Sequence, residues 1–273
     1  MTLFQKTIYC AVPALALLAI PGAGQMKDNQ ERTLTCGDGN HWGGKRQRAC
    51  EIKEQTLDAP KGAIQIDPGT NGGISVKGWN QPNVLVRARI ETFAPTEGEA
   101  RLMVSQIQFA SGAAQLKASG PPNENERSWA VSYEVFVPHQ TDIDARSHNG
   151  GIRIEDVKGR ITFQALNGGT RLNRLAGDVS GQTTNGGLTI ELAGDRWDGK
   201  GMDVQTTNGG VKVAMPANYS ARVEAATVNG GVSSDFAAAT QGRAKKEMSF
   251  TLGSGGATIR AVTTNGGVKI QRI

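Results

Sequence analysis

Apolar and polar residues alternate on both sides of a recurring Asn-Gly-Gly triplet. Around Asn149, for example, Ile143 and Ala145 precede the triplet, and Ile152 and Ile154 follow it. Alternation with a period of two is typical of a β-strand that buries one face. Each unit is therefore predicted to contain two short strands that are joined at the triplet.

The triplet occurs repeatedly, and the apolar pattern repeats with it. Its first residues are Asn71, Asn149, Asn167, Asn185, Asn208, Asn229 and Asn265. Similar residues at equivalent positions favour parallel coils stacked into a β-solenoid over isolated antiparallel hairpins, in which Asn-Gly would close each ribbon. Because Asn and Gly tolerate positive φ, the triplet is interpreted as a left-handed turn. The Ala-Gly-Asp segments 176–178 and 193–195 predict a second corner.

The front of the chain follows a different pattern. One repeat-like unit surrounds Asn71, and residues 83–93 then alternate like a strand. Thr96-Glu97-Gly98-Glu99 resembles a capping box and precedes apolar residues at helical spacing over 100–109. Residues 113–118 and 129–137 predict two more strands. The fold class is accordingly all-β: a parallel β-solenoid over 146–273, preceded over 61–145 by a first repeat unit with a strand-helix-strand-strand insert.

The N-terminal residues indicate where the protein acts. Residues 1–24 resemble a cleavable signal peptide, so the protein is predicted to be exported to the periplasm or the cell surface, with no transmembrane segment after cleavage. Residues 25–60 are predicted to form a disulfide loop and a linker. Cys36 and Cys50 would form the disulfide, because they are the even pair that remains in an exported chain. A metal site at these cysteines is disfavoured, since few other metal-ligating side chains lie nearby.

Composition narrows the class of protein. The chain has 273 residues and 36 glycines without a Gly-X-Y period, which excludes collagen and suggests many tight turns. The formal net charge of +5 arises from interspersed acidic and basic residues. A weakly basic surface favours anionic polymers or lipid headgroups, although the basic cluster of Lys45, Arg46 and Arg48 also fits a plain solvated loop. The sequence contains no nucleic-acid-binding motif and no cofactor motif.

Three features together resemble a known family. They are Cys36 with Cys50-Glu51, the block from Pro68 to Trp79, and the later Thr-x-Asn-Gly-Gly units that are followed by alternating apolar residues. Over 51–273 the chain is similar to the DUF4097 family, whose members are also labelled "putative adhesins". The resemblance implies a β-solenoid-like fold and an association with the bacterial envelope, and it supplies no catalytic residues. Some relatives are linked with envelope-stress signalling.

Two sets of residues are candidates for ligand contact. The Asn side chains of the triplets form either a binding ladder or structural turns with Asn–Asn hydrogen bonds between coils, and the second interpretation is favoured. Trp197 lies between Asp195 and Asp198. Its ring could stack on a sugar while the carboxylates bind hydroxyl groups. A Trp that folds back over its own loop is the favoured interpretation, and sugar contact is the alternative.

Catalytic and metal chemistry have weaker support. Carboxylates at Asp178, Asp195 and Asp203 are candidates for polysaccharide cleavage by paired acids, but their positions at turns explain them without catalysis. The calcium-binding nonapeptide is absent, and no other metal motif is found.

The sequence thus predicts a non-enzymatic, adhesin-like envelope scaffold that binds a protein or polysaccharide partner. An envelope-stress sensing or regulatory module is the alternative, and a polysaccharide-cleaving enzyme is a third hypothesis. The last strand, 268–273, is predicted to be an open pairing edge. It is expected either to mediate self-association or to be covered by residues 236–248.

Overall fold

The computed structural model describes residues 34–37, 46–112, 114–124, 126–236 and 246–273. The predicted signal peptide, Lys45 and most of the segment 236–248 lie outside these residues. The elements in the described part of the chain are, in order, β1 (Gln47–Asp58), β2 (Ile64–Asp67), β3 (Ile74–Trp79), β4 (Asn83–Ala94), α1 (Glu97–Gln106), β5 (Gln108–Gly112), β6 (Gln115–Ser119), β7 (Ser128–Pro138), β8 (Ile143–Asn149), β9 (Ile152–Glu155), β10 (Lys158–Asn167), β11 (Thr170–Asn173), β12 (Ala176–Asn185), β13 (Leu188–Glu191), β14 (Gly201–Asn208), β15 (Val211–Met215), β16 (Ala221–Asn229), β17 (Val232–Ser234), β18 (Glu247–Leu252), β19 (Thr258–Asn265) and β20 (Val268–Arg272).

The strands form two sheets that share one hydrophobic core. Sheet A has the order β1-β4-β7-β3-β9-β11-β13-β15-β20-β17, and sheet B has the order β18-β16-β19-β14-β12-β10-β8-β2-β6-β5. Each repeat coil contributes one strand to each sheet, with Asn-Gly-Gly between the two strands. Neighbouring coils pair in parallel, so that Asn167 lies opposite Asn149 on one side and Asn185 on the other. The predicted parallel solenoid is confirmed.

The core lies between the sheets because each strand buries alternate side chains. In β9, Ile152 and Ile154 are buried, whereas Arg153 between them is exposed. Equivalent residues of successive coils form buried columns, one of which consists of Ile154, Leu172, Ile190, Val213 and Ile270. Full burial of such a side chain contributes roughly 1.5–3 kcal/mol. A coil therefore depends on its neighbours to remove its apolar side chains from water.

The insert extends both sheets at one end of the stack. β1, β4 and β7 pair antiparallel and continue sheet A, while the β5–β6 hairpin continues sheet B. The helix begins after Thr96, whose Oγ1 accepts a hydrogen bond from the Glu99 amide at 3.3 Å. It ends at Gln106, before the predicted limit, because Ile107 is extended and buried in the core. Three strands follow the helix, one more than predicted.

The segment predicted to be a disulfide loop and linker contains the long strand β1. This strand pairs with β4 over its whole length. Its alternation is obscured in the sequence because it is an edge strand with many exposed polar and charged residues. The predicted disulfide is present, with the Cα atoms of Cys36 and Cys50 5.8 Å apart. It attaches the described residues 34–37 to β1.

The last two coils are stacked in an order that differs from their order in the chain. β19 lies between β14 and β16, and β20 lies between β15 and β17. The C-terminal strand is therefore paired on both sides, and the prediction that it is an open edge is wrong. β18 pairs antiparallel with β16 on its far side, and the final coil lies between the β16–β17 coil and the β14–β15 coil. Self-association remains a prediction, but β20 has no free edge to mediate it.

The triplets are not the left-handed turns that the sequence suggests. No triplet Asn has a positive φ, and among the described triplet glycines only Gly72 and Gly266 do. The middle glycine is required for a different reason. A Cβ on Gly168 would overlap the backbone of Gly150 in the neighbouring coil. The triplet thus allows close stacking of backbones.

The second corner does contain left-handed residues. Asp156 and Arg174 have φ values of 58° and 52°, and they occupy equivalent positions in adjacent coils. The Arg174 guanidinium donates two hydrogen bonds to the Asp156 carboxylate, at 2.6 and 2.7 Å. In this coil the corner precedes the predicted segment 176–178, which already belongs to β12. In the next coil the corner includes the predicted segment 193–195, between β13 and β14.

Candidate functional site

A row of cations crosses the outer face of sheet A. In each of the coils that it crosses, one residue lies between two buried positions, which are aliphatic except for Thr170, and points away from the core. Register places Arg153 opposite Arg171, and Lys212 opposite Lys269, with Thr189 between the two pairs. All four cationic residues are exposed. We call Arg153, Arg171, Lys212 and Lys269 the basic row. Neighbouring strands are about 4.8 Å apart, so the basic row spans roughly 19 Å.

The cations of the basic row have no partner among the described residues. None of the four forms an ion pair or a side-chain hydrogen bond there. Like charges directly opposite each other on adjacent strands destabilise a sheet, and Arg153–Arg171 and Lys212–Lys269 are two such pairs. The sheet therefore retains charges that its own folding does not neutralise.

The carboxylates nearest in register have other partners. Glu155 and Glu191 occupy the outward positions that follow the basic row along their strands. Glu155 Oε1 accepts a hydrogen bond from Asn173 at 2.8 Å. The pKa of Arg174 is raised, chiefly by its hydrogen bond to Asp156, and the charges of Glu155 and Glu191 add to this. These acids lie at the corner end of the coils.

A groove adjoins the Arg153 end of the basic row. It has a volume of about 670 Å³ and includes Leu34 on one side. Ser75, Ser132 and Thr189 line it together with Arg153 and Arg171. The rest of the lining consists of triplet glycines and of Ile74, Tyr133, Ile152 and Thr170. Guanidinium groups beside hydroxyl groups suit a ligand that carries both negative charge and hydroxyl oxygens.

The described residues 34–37, which include Leu34 at one side of this groove, are attached to sheet A by hydrogen bonds and by the disulfide. Arg87 Nη2 donates a hydrogen bond to the Leu34 carbonyl at 3.2 Å. Arg87 itself is buried, and its guanidinium forms ion pairs with Glu54 and Glu134. Two further arginines of sheet A donate to carbonyls of this segment, and the disulfide from Cys36 attaches it covalently. The Leu34 side of the groove is therefore held in place by several contacts.

The triplet asparagines form a continuous ladder of amide hydrogen bonds. In each step an Asn Nδ2 donates to the Oδ1 of the neighbouring Asn, at 2.8–3.1 Å. The spatial order is Asn71, Asn149, Asn167, Asn185, Asn208, Asn265 and Asn229. Within the ladder the five internal amides each donate to one neighbour and accept from the other, whereas Asn71 only accepts and Asn229 only donates. This geometry suits a structural role better than ligand binding.

The outer face of sheet B carries charges in pairs. Arg146 Nη2 lies 2.9 Å from Asp144 Oδ2, and Arg260 Nη1 lies 2.7 Å from Asp203 Oδ1. A groove crosses this face beside both pairs. Each candidate catalytic acid has its own cation, since Asp203 pairs with Arg260, Asp178 with Lys200 at 3.6 Å, and Asp195 with the adjacent Arg196 at 3.3 Å.

The proposed sugar-contacting Trp197 is part of the core. Its side chain belongs to the main hydrophobic cluster, the residue is only 6% exposed, and Nε1 donates to the Gly177 carbonyl at 3.0 Å. A buried ring offers no face on which a sugar could stack. Asp195 and Asp198 flank it at the surface, and Asp198 accepts a hydrogen bond from Lys158 at 2.6 Å. The loop around Trp197 therefore has no exposed aromatic ring with which it could bind a sugar.

Among the described residues, no group of three His, Cys, Asp or Glu side chains is placed to hold a metal ion. No helix in the same part of the chain is both long enough and apolar enough to cross a membrane.

The basic row was not recognised in the sequence, although a signal for it exists. When the units are aligned on their triplets, the fourth residue after Asn is Arg153, Arg171, Thr189, Lys212 and Lys269 in successive units of sheet A. This position looks like an ordinary exposed residue in any one strand. Only the parallel register makes it a row.

The family model for "Toastrack DUF4097" matches residues 26–271. The chain belongs to the Toastrack DUF4097 family. Among solved structures, this Toastrack chain is similar to a "putative cell adhesion protein" from Clostridium sporogenes, with 12% identity, 83% of this chain and 100% of the other covered, and a TM-score of 0.44. It is also similar to a "putative adhesin" from Bacteroides fragilis, with 13% identity, coverage of 82% and 97%, and a TM-score of 0.34. No curated protein matches it.

Proposed function

We propose that this protein is a non-enzymatic, exported scaffold of the bacterial envelope that binds an acidic polysaccharide along the outer face of sheet A. The basic row carries the proposal, because its four cations have no ion-pair partner among the described residues. An unneutralised row of charge raises the local concentration of a ligand of opposite sign. A linear polyanion lying across the strands would contact the whole row.

Spacing and chemistry favour an acidic polysaccharide over a protein partner. One strand step of about 4.8 Å is close to the length of one sugar ring along a chain. Adjacent acidic sugars could therefore meet Arg153 and Arg171, and a second adjacent pair could meet Lys212 and Lys269 beyond Thr189. The hydroxyl groups of Ser75, Ser132 and Thr189 can bind sugar hydroxyls in the adjoining groove. Protein interfaces usually contain large apolar anchors, and the exposed large hydrophobic residues of the described chain, such as Leu102 and Val228, are not in the basic row.

The experiment measures binding to polygalacturonate and to neutral amylose by calorimetry at two salt concentrations. We expect binding to polygalacturonate alone, weakened by salt because exposed charges are screened. The double variant Arg171→Gln/Lys212→Gln should lose most of this affinity. The matched control Arg146→Gln/Arg260→Gln removes two cations from sheet B and should retain it. Equal losses in both variants would show that only net charge matters, and would overturn the proposed site.

The absence of catalysis is part of the proposal and has its own test. It is supported by the candidate acids Asp178, Asp195 and Asp203, each of which pairs with a different cation. Prolonged incubation with polygalacturonate should release neither new reducing ends nor unsaturated products. Release that disappears in Asp203→Asn would instead support a polysaccharide-cleaving enzyme.

A further inference from the structure

Every triplet contains an Asn-Gly step, which is chemically labile. The backbone nitrogen of a glycine that follows Asn is sterically accessible and can attack the Asn side-chain carbonyl carbon. A fold suppresses this reaction by holding the glycine N–H in a hydrogen bond and by fixing the Asn amide. The stack of coils does both for most of the triplets.

The protection comes from the neighbouring coil. The middle glycine N–H of six triplets donates to the backbone carbonyl of the adjacent triplet Asn, at 2.9–3.0 Å. These donors are Gly72, Gly150, Gly168, Gly186, Gly209 and Gly266. All six glycines are half-buried. Each N–H is thus engaged, and the carbonyl that accepts it always belongs to the next coil in the same direction.

Asn229 and Gly230 are the exception because they stand at the end of the Asn ladder, where Lys246 Nζ donates to the Gly230 carbonyl at 2.9 Å but no further triplet follows. Gly230 N–H has no hydrogen-bond acceptor among the described residues, and Gly230 is exposed. Asn229 Nδ2 donates to Asn265 at 2.8 Å, but no described side chain donates to Asn229 Oδ1. Both the nucleophile and one side of the amide are therefore more accessible here than in the other triplets.

We propose that Asn229 is the site at which the folded protein deamidates spontaneously. The Gly230 nitrogen loses its proton and forms a bond to the Asn229 side-chain carbonyl carbon, while the bond from that carbon to Nδ2 breaks and ammonia leaves. Water then opens the cyclic imide to aspartate or isoaspartate. The product carboxylate cannot donate to Asn265, so the ladder loses its last step. The β16–β17 coil is consequently expected to loosen at the Asn229 corner, where the ladder ends.

Chain order and stacking order make different predictions about the reactive site. If coils stacked in chain order, Asn265 would be the last step of the ladder. In the structure the final coil lies inside the stack, and Gly266 N–H donates to the Asn229 carbonyl at 2.9 Å. Asn265 is therefore a matched control with the same Asn-Gly-Gly sequence.

The experiment incubates the folded full-length protein at mildly alkaline pH and follows each Asn-Gly step by peptide mapping. Asn229 should lose its amide at least about fivefold faster than Asn265, a ratio that corresponds to one hydrogen bond of about 1 kcal/mol. In denaturant the two rates should become equal. A folded protein in which Asn265 or an internal Asn reacts as fast as Asn229 would overturn the proposal.

A variant provides a second measurement. Asn229→Gln retains an amide but cannot form the same imide readily. Labelling by an isoaspartyl methyltransferase after incubation should fall by more than half in this variant. Unchanged labelling in a variant with wild-type circular dichroism would overturn the assignment, and the peptide map of the unmodified chain decides the question if the variant does not fold.

Discussion

The two outer faces of the solenoid are built from the same repeat but treat charge differently. On sheet B, cations such as Arg146 and Arg260 contact carboxylates on the same or the adjacent strand. On sheet A, the basic row has no such contact among the described residues. Charges that served only solubility would not need to be paired on one face and unpaired on the other. The described cations Arg146 and Arg260 are neutralised within sheet B, whereas the basic row is not neutralised within sheet A, and this difference supports the proposed ligand face.

Both faces depend on close stacking of the triplets, and breaking that stacking should have the largest effect. A Cβ in Gly168→Ala would overlap the Gly150 backbone, whereas in the control Gly169→Ala the nearest atom, the Gly187 carbonyl oxygen, lies 3.4 Å away. We expect Gly168→Ala to lower the free energy of unfolding by about 3 kcal/mol and Gly169→Ala by less than about 1 kcal/mol. Urea denaturation measures both. Similar decreases in the free energy of unfolding for both variants would mean that the space around each glycine does not decide the effect.

The Asn ladder should contribute to stability and leave the basic row unaffected. The double variant Asn185→Ala/Asn208→Ala removes the ladder steps that join these residues to Asn167 and Asn265 as well as to each other. Exposed amide hydrogen bonds contribute modestly, so we expect a loss of about 1–3 kcal/mol in thermal or urea unfolding. Binding to polygalacturonate should remain. If the variant kept its stability but lost binding, the ligand site would be the Asn ladder and not the outer face of sheet A.

The repeat can be predicted from the sequence because the two strands of a coil are close together in the chain. Residues such as Ile152 and Ile154 show the alternation, and aligned triplets indicate parallel stacking. The order of the last coils could not be predicted, because it depends on whether β16 pairs with β18 and β19 or with β14. Those strands have similar apolar patterns, so pattern alone does not distinguish them.

The site was harder to predict than the fold for a related reason. The charges beside Trp197 suggested sugar contact as a second hypothesis, and its ring in fact belongs to the core and donates to the Gly177 carbonyl. Arg171 looked unremarkable in its own strand and gains meaning only beside Arg153. A role that arises from neighbours in register is visible only once the register is known.

Neutralising charge should have opposite effects on the stability of the two faces. Arg171→Gln/Lys212→Gln relieves like-charge contacts and should raise the free energy of unfolding by up to about 0.5 kcal/mol. Arg260→Gln breaks an exposed ion pair with Asp203 and should lower it by about 0–1 kcal/mol. Unfolding at low and at high salt measures both, and salt should reduce each difference. A loss of stability in the sheet A variant would mean that its cations have structural partners.

The Asp156–Arg174 pair at the second corner allows a selective test, because its effect on stability should depend on pH. The hydrogen bond from Arg174 holds the pKa of Asp156 below its usual value of 3.8, and the charges of His139 and Lys77 add to this effect against desolvation. A lowered pKa stabilises the fold above the ordinary pKa, and the contribution disappears as the pH falls through the folded-state value. Asp156→Asn keeps a residue that tolerates positive φ and removes the charge. We expect it to cost at most about 1 kcal/mol at neutral pH, because the pair is partly exposed, and to cost nothing in strong acid. If Asp156→Asn still lowers the free energy of unfolding at low pH, the role of Asp156 lies in backbone geometry and not in its charge. The second corner would then be held by steric fit, as the triplets are.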